Sequence, residues 1–269
     1  MMKKILLFLS ISILVLSNLK AATVEQADSA YLNGNYNEAA ALYAEIADTE
    51  GISAPLLFNM GNAYLKAGDY GLAMLAYQRA KKLAPSDRRI NSNINYLREK
   101  VEDANKAEQK GKRKKVTEDT PNFFQSIHTA IAENNSSDSW AGWAAAFFLI
   151  FIGCGALYLF TTNVLTRKTG FFGGFIFLGL SIIFLVCAFS SASAFSQKEY
   201  GVIVSYKTEL QTEPASPSKD NQNEGVLTRG TKVRVIAEET YAEGKVSWFK
   251  VRLNSDYLGW VSAEALEII

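Results

Sequence analysis

The sequence is poor in the residues on which most enzyme chemistry depends. Among 269 residues there is one histidine, His128, and there are two cysteines, Cys154 and Cys187. That scarcity excludes a disulfide framework, a cysteine-rich zinc module and most histidine-dependent active sites. There is no HExxH segment, no GxxxxGK[ST] loop and no serine or cysteine nucleophile accompanied by a usable histidine. The adjacent carboxylates Glu238 and Glu239 point to opposite faces if they lie in a strand, so they cannot act as a pair on one substrate. The expectation is a chain that is not an enzyme and has no cofactor or metal. One-sided charge is missing too: 28 basic against 27 acidic side chains leave +1, without the basic footprint of a nucleic-acid binder.

What the chain does have is a strong segregation of apolar residues. Lys3 and Lys4 precede an apolar run from Ile5 to Leu16, and Ala21 and Ala22 supply small residues for cleavage. Residues 1–22 thus have the shape of a secretory signal peptide. The alternative, an uncleaved anchor, would rest on a run of only about a dozen residues, short for a membrane span. Ser139 to Thr166 and Thr169 to Gln197 contain no charged residue, and each exceeds the roughly 20 residues a helix needs to cross ~30 Å of hydrocarbon. Two transmembrane helices are expected, at 139–163 and 171–196, joined by a loop at 164–170. Trp140, Trp143 and Tyr200 stand where amphipathic rings favour the interface. Arg167 and Lys168 are the only charges between the spans, which places that loop in the cytoplasm and both flanking segments on the opposite, periplasmic side of an inner membrane. Cys154 and Cys187 fall inside the spans, away from any setting that would activate a thiolate.

Gly34, Asn35, Tyr36, Ala39 and Tyr43 recur as Gly68, Asp69, Tyr70, Ala73 and Tyr77, each 34 residues later. The copy beginning at Ala54 carries Leu57, Gly61, Tyr64, Ala73, Tyr77, Ala80 and Pro85, and on these residues it resembles the tetratricopeptide repeat family. Gly61 and Ala73 allow two helices to approach, Tyr64 and Tyr77 fill the gap between them, and Gly68 with Asp69 makes the turn. The first copy departs, with Ala27 and Ala30 in its first helix and Gly51 in place of proline, as a terminal repeat does. After Pro85, Ser86 and Asp87 open a polar helix to about Lys106. Its Ile90, Ile94, Leu97 and Val101 are spaced to cover the open end, as a capping helix or the remnant of a third repeat. The resemblance implies a helical repeat domain over 23–106 whose first helices line a groove for a peptide or protein segment. Its inward positions are Phe58, Asn59, Asn62, Leu65 and Lys66. Asn59 and Asn62 resemble the asparagines with which some members bind a partner's backbone or carboxylate, whereas Asp28 at the equivalent place in the first repeat would repel a carboxylate. The alternative for these polar residues is a solvated face.

Residues 107–138 form a linker. From Lys106 to Lys115, the basic residues Lys106, Lys110, Lys112, Arg113, Lys114 and Lys115 stand against only Glu108, which reads as a solvated connection or an arm resting on anionic lipid. Phe123, Phe124, Ile127 and Ile131 give Asn122 to Glu133 an apolar stripe, that of a short amphipathic helix at the membrane surface. His128 sits on it without a chemical partner.

From Tyr200 the period changes to alternation, with Val233 and Val235, then Phe249, Val251 and Leu253, separated by Gly225, Gly230, Gly244 and Asn254. These are short antiparallel strands, and about 70 residues of them suit a small closed barrel. The segments from Arg229 to Val235, Ser247 to Val251 and Leu258 to Val261 resemble the bacterial SH3-like family. That implies a five-stranded barrel over 200–269 which binds protein or cell-wall ligands. Trp248 and Trp260 are the candidate exposed aromatics, with barrel core as the alternative, above all for Trp260. Proline-rich recognition is not implied, and Pro214 to Glu224 reads as a long loop.

The fold class expected is therefore multidomain: all-α tetratricopeptide repeats, two transmembrane helices and a C-terminal all-β SH3-like barrel. That order of modules resembles the BatE proteins of the Bacteroides aerotolerance operon. The resemblance implies work at the inner membrane beside von Willebrand-type and BatD-like membrane proteins and a MoxR-type ATPase. The residues themselves point to a non-catalytic envelope scaffold with protein partners. A peptidoglycan-binding tether or sensor acting through the barrel is the alternative.

Overall fold

The computed structural model describes residues 22–108, 123, 126–127, 130–131, 135–196, 200–214, 223–241, 245–254 and 257–269. The signal-peptide run, the basic arm beyond Glu108, His128 and most of the tract from Pro214 to Glu224 lie outside those residues. Of the expected amphipathic segment, Phe123, Ser126, Ile127, Ala130 and Ile131 are described and helical.

Five helices form the N-terminal domain: α1 (Val24–Leu32), α2 (Tyr36–Glu50), α3 (Ala54–Ala67), α4 (Tyr70–Leu83) and α5 (Arg88–Glu108). Their ends are written in the sequence. Thr23 and Gln26 exchange side-chain and backbone bonds in a capping box at α1. Ser53 caps α3, which has a proline in its first turn and ends on Gly68 in the left-handed conformation. Asp69 then caps α4 by accepting from the Leu72 N–H at 3.1 Å. Tyr43, Leu57, Tyr77, Ile90, Ile94 and Leu97 are fully buried between the helices. A Cβ on Gly61 would lie 2.6 Å from the Tyr77 ring, so the glycine is what lets α3 and α4 close.

Helices α6 (Ser137–Phe160) and α7 (Val164–Ser196) form an antiparallel hairpin. Both are long and apolar enough to cross a membrane. They pack tightly at small residues: a Cβ on Gly170 would meet the Cys154 carbonyl oxygen at 2.7 Å, and the Ser181 hydroxyl donates to the Ala144 carbonyl at 2.9 Å. Elsewhere large apolar side chains face outward, Leu149 being 67% exposed. The expected loop at 164–170 is not a loop. Only residues 161–163 are non-helical, because the Asn163 side chain accepts from the Leu165 N–H at 2.9 Å and nothing after it breaks a helix. Arg167 therefore sits in the first turns of α7, 5.2 Å over the Tyr158 ring.

Among its described residues the C-terminal domain has seven strands rather than five: β1 (Tyr200–Ile203), β2 (Lys207–Gln211), β3 (Asn223–Thr228), β4 (Lys232–Tyr241), β5 (Lys245–Arg252), β6 (Leu258–Ser262) and β7 (Leu266–Ile268). They form one antiparallel sheet in the order β3-β2-β6-β5-β4-β1-β7. The sheet is curled into a partly closed barrel, and β4 bends through register shifts near Val235 and Glu239. The two shortest strands, β7 at the sheet edge and β1 beside it, are too brief for their alternation to be read from sequence. Ile203, Leu210, Leu227, Val251, Tyr257 and Val261 make the core.

The barrel docks on the repeat domain. Val202 is completely buried within the repeat-domain core, and Val204 and Ile269 pack against that same core. A Cβ on Gly71 of α4 would stand 3.0 Å from the Val204 Cα, and one on Gly230 would stand 2.7 Å from Val101 of α5. Arg79 donates to the Ile268 carbonyl at 2.8 Å, and Lys82 to the Ile269 oxygen at 2.8 Å. Val101, expected to close the end of the repeats, is buried by the barrel instead.

Candidate functional site

The groove is built from α1, α2 and α3. Its cavity, about 230 Å³, is lined by Asp28, Tyr31, Leu32, Tyr43, Asn59 and Asn62. Two of the five predicted inward residues, Asn59 and Asn62, are there. Phe58 instead packs partly buried against Tyr77, with the Arg89 guanidinium 5.2 Å from its ring. Leu65 lies partly buried against the repeat core, and Lys66 projects into solvent from the last turn of α3. Tyr31, Tyr43 and the 83% exposed Leu32 were not foreseen as lining residues.

The polar groove residues belong to a hydrogen-bond unit that itself repeats. The Tyr43 hydroxyl donates to Asp28 and bonds to Asn59. The Tyr77 hydroxyl donates to Asn62 at 2.7 Å and receives the Asn93 amide at 3.1 Å, while Asn93 also donates to Asn62 at 2.9 Å. Asp28, Tyr43 and Asn59 thus recur as Asn62, Tyr77 and Asn93, again 34 residues on. Asp28 is therefore the first repeat's version of the tyrosine acceptor. Burial, reinforced by the Asp28 carboxylate, holds the Tyr43 phenol well above its ordinary range, and burial does the same for Tyr77. Both stay protonated donors. Asn93 places α5 where the first helix of a third repeat would stand. The signal was present in the 34-residue spacing of the asparagines.

On the barrel, β5 and β6 pair so that Trp248 lies opposite Ser262 and Lys250 opposite Trp260. The two tryptophans are diagonal neighbours on one face, while Phe249, Val251 and Val261 point into the core. Both tryptophans are half-buried, and the Lys250 ammonium lies 5.6 Å over the Trp260 ring. Trp260 is not core: alternation along β6 buries Gly259 and Val261 and turns the indole outward.

Residues 54–87 match the tetratricopeptide repeat family. Residues 215–267 match the bacterial SH3 domain family. The first match covers α3, α4 and the turn into α5, and the second runs from before β3 to β7. No curated protein matches the chain. A tetratricopeptide repeat and a bacterial SH3 domain point to binding of protein partners or peptidoglycan. The Tyr77–Asn62–Asn93 unit lies in part within the first match, and the Trp248–Lys250–Trp260 face within the second. Among the described residues, no three histidine, cysteine, aspartate or glutamate side chains gather in a way that could hold a metal ion.

Proposed function

We propose that the chain is a non-catalytic membrane adaptor of BatE type, which holds protein partners in the periplasm through the repeat groove and anchors them through the α6–α7 hairpin. The observation that carries this reading is the dock. The repeat domain precedes the hairpin and the barrel follows it, yet Val202, Val204, Arg79 and Gly230 join the two domains. If α6 and α7 span a bilayer, two domains in contact must share one side of it. Arg167 and Lys168 at the tip of the hairpin favour the cytoplasm for that tip, and so the periplasm for both domains. The dock uses α4, α5, β1, β7 and the β3–β4 turn, leaving the groove on α1 to α3 and the tryptophan face on β5 and β6 at separate places. In the aerotolerance setting, the partners are von Willebrand-type and BatD-like membrane proteins and a MoxR-type ATPase complex.

The paired tryptophans beside Lys250 support a second reading, a barrel that binds peptidoglycan, since the outward faces of these half-buried indoles offer flat surfaces on which sugar rings stack. One set of experiments on the full chain in mild detergent separates the two. If the groove holds partners, Leu32→Glu reduces recovery of copurifying membrane proteins about tenfold, the loss of one buried leucine contact. If the barrel holds cell wall, Trp260→Ala abolishes sedimentation with purified sacculi. Recovery unchanged by Leu32→Glu contradicts the groove reading, and wild-type protein that stays in the supernatant contradicts the second.

A further inference from the structure

The barrel begins where the hairpin ends. Helix α7 runs to Ser196 and β1 opens at Tyr200, four Cα steps on, so the two residues lie at most about 14 Å apart. From Arg167, near the hairpin tip, to Ser196 the helix rises about 44 Å at ~1.5 Å per residue. A bilayer with its headgroups is about 40–45 Å thick. If α7 spans a bilayer with Arg167 at one surface, the reading on which this inference rests, Ser196 emerges among the opposite headgroups. Tyr200 then stands close to them.

Tyr200 belongs to a row that crosses four strands. It lies opposite Arg234, Arg234 lies opposite Arg252, and Arg252 lies opposite Leu258. Directly opposed residues of antiparallel strands share one face of the sheet. All four are exposed, Tyr200 by 40% and Leu258 by 38%. Lys232 adds a charge at the same end, 4.5 Å over the Tyr200 ring, whereas the acids of β4, Glu238 and Glu239, stand beyond its register shift at Val235. In the sequence around this end, Lys198 and Glu199 cancel and Asp256 offsets one of the three cations, which leaves it positive.

Like charges directly opposite each other weaken a sheet, and an anion beside them relieves the repulsion. Arg234 has a partner of its own in the protein. Arg252 has no hydrogen bond or ion pair among the described residues and is exposed. Arginine flanked by a tyrosine ring and a leucine is the mixture that favours a membrane interface.

We propose that the Tyr200, Arg234, Arg252 and Leu258 row seats the barrel on the anionic headgroups of the bilayer that α6 and α7 cross. Arg252 makes the contact with its free guanidinium, Arg234 and Lys232 add to the field, and Tyr200 and Leu258 enter the interface. The dock then holds the repeat domain at a fixed height over the membrane.

Fluorescence of the full-length protein in nanodiscs tests this. Cys154 and Cys187 are replaced by serine, and Leu258→Cys, or Glu239→Cys as the control at the far end, carries a nitrobenzoxadiazole dye that brightens on leaving water. In phosphatidylglycerol discs the dye at 258 is brighter than in phosphatidylcholine discs, and high salt removes the difference. The dye at 239 is the same in both. Arg252→Gln lowers the ratio of seated to free barrel about fivefold, one charge's worth, and Arg252→Glu abolishes the phosphatidylglycerol effect. Neither lowers the melting temperature, since each removes the like charge opposite Arg234. Equal brightness in the two discs, or a phosphatidylglycerol effect that survives Arg252→Glu and so belongs to another basic segment, would overturn the assignment. Protein that elutes apart from the discs contradicts the membrane span itself, and the seat with it, which tells the two failures apart.

Discussion

Valine in place of Gly61 is expected to destabilise the repeat domain more than any other single substitution between α3 and α4. The first atom added would lie 2.6 Å from Tyr77 Cε1 and 2.7 Å from Cδ1, well inside van der Waals contact. Tyr77 cannot yield, because it is completely buried and its hydroxyl is held by Asn62 and Asn93. Overpacking of this kind costs about 3 kcal/mol, a drop of about 12–24 °C in the melting temperature of a domain this size. Tyr77→Phe separates the two contributions. It keeps the ring and loses only the hydrogen bonds, so it is expected to cost about 1–3 kcal/mol. Circular dichroism melts of the two variants give the comparison, and a Gly61→Val protein that melts with the wild type would show that α3 and α4 are not packed through this glycine.

The second large effect concerns the dock, and the sizes of its parts decide which substitution matters. The Arg79–Glu267 pair, at 3.3 Å, is substantially exposed at both ends, and such pairs contribute about 0–1 kcal/mol. Arg79→Gln should therefore loosen the dock mainly by losing its 2.8 Å bond to the Ile268 carbonyl, a charge-assisted bond that contributes about 1.5–3 kcal/mol. At Gly71 the neighbours are backbone: a Cβ would meet the Val204 Cα at 3.0 Å, the Val204 oxygen at 3.1 Å and the Ile203 oxygen at 3.2 Å. Neither strand nor helix can give way, so Gly71→Leu is expected to expel the barrel and expose Val202, a valine with no accessible surface in the dock. Leucine is a better helix former than glycine by about 0.8 kcal/mol, so α4 itself should survive. Hydrogen exchange reads the result. In Gly71→Leu, protection should fall on the dock faces of α4, α5 and β1 while the α2–α3 amides and the barrel core keep theirs.

Much of this architecture was legible in the sequence for reasons that can be named. Capping residues, the 34-residue period and two uncharged runs each have one local explanation, and the corresponding helices stand within a few residues of their expected places. The groove was half legible. Asn59 and Asn62 line it because the family's spacing puts them there, but Phe58 turned inward to Tyr77, and its partner Arg89 comes from α5, a helix without the family's signature. The tyrosine-centred unit is visible as spacing, but Asp28 and Asn62 read as groove residues for a partner, and their role as acceptors of the Tyr43 and Tyr77 hydroxyls shows only in the fold. At the hairpin tip the charges of Arg167 and Lys168 suggest a loop, yet both are good helix formers and lie in the first turns of α7. The dock was not legible at all. It joins Gly71 to Val204 and Val101 to Gly230 across more than a hundred residues, and no local pattern encodes a contact at that separation. In sequence, Gly71 and Gly230 read as ordinary turn or helix glycines. Their meaning appears only when the opposing backbone is in place.

An adaptor of this kind requires the repeat domain and barrel to form one body on one side of the membrane, and cross-linking in intact cells measures that directly. Cys154 and Cys187, the two free cysteines, are replaced by serine. Cysteines are then introduced by Asp69→Cys and Arg229→Cys, at the pair whose side chains lie 3.6 Å apart, and a protease site is inserted between the repeat domain and α6. A short bis-maleimide should join the two, so that the halves migrate together after cleavage, and Gly71→Leu should abolish that joining. Halves that separate completely although both cysteines are labelled would contradict a docked pair, and with it the placement of both binding modules on the same face.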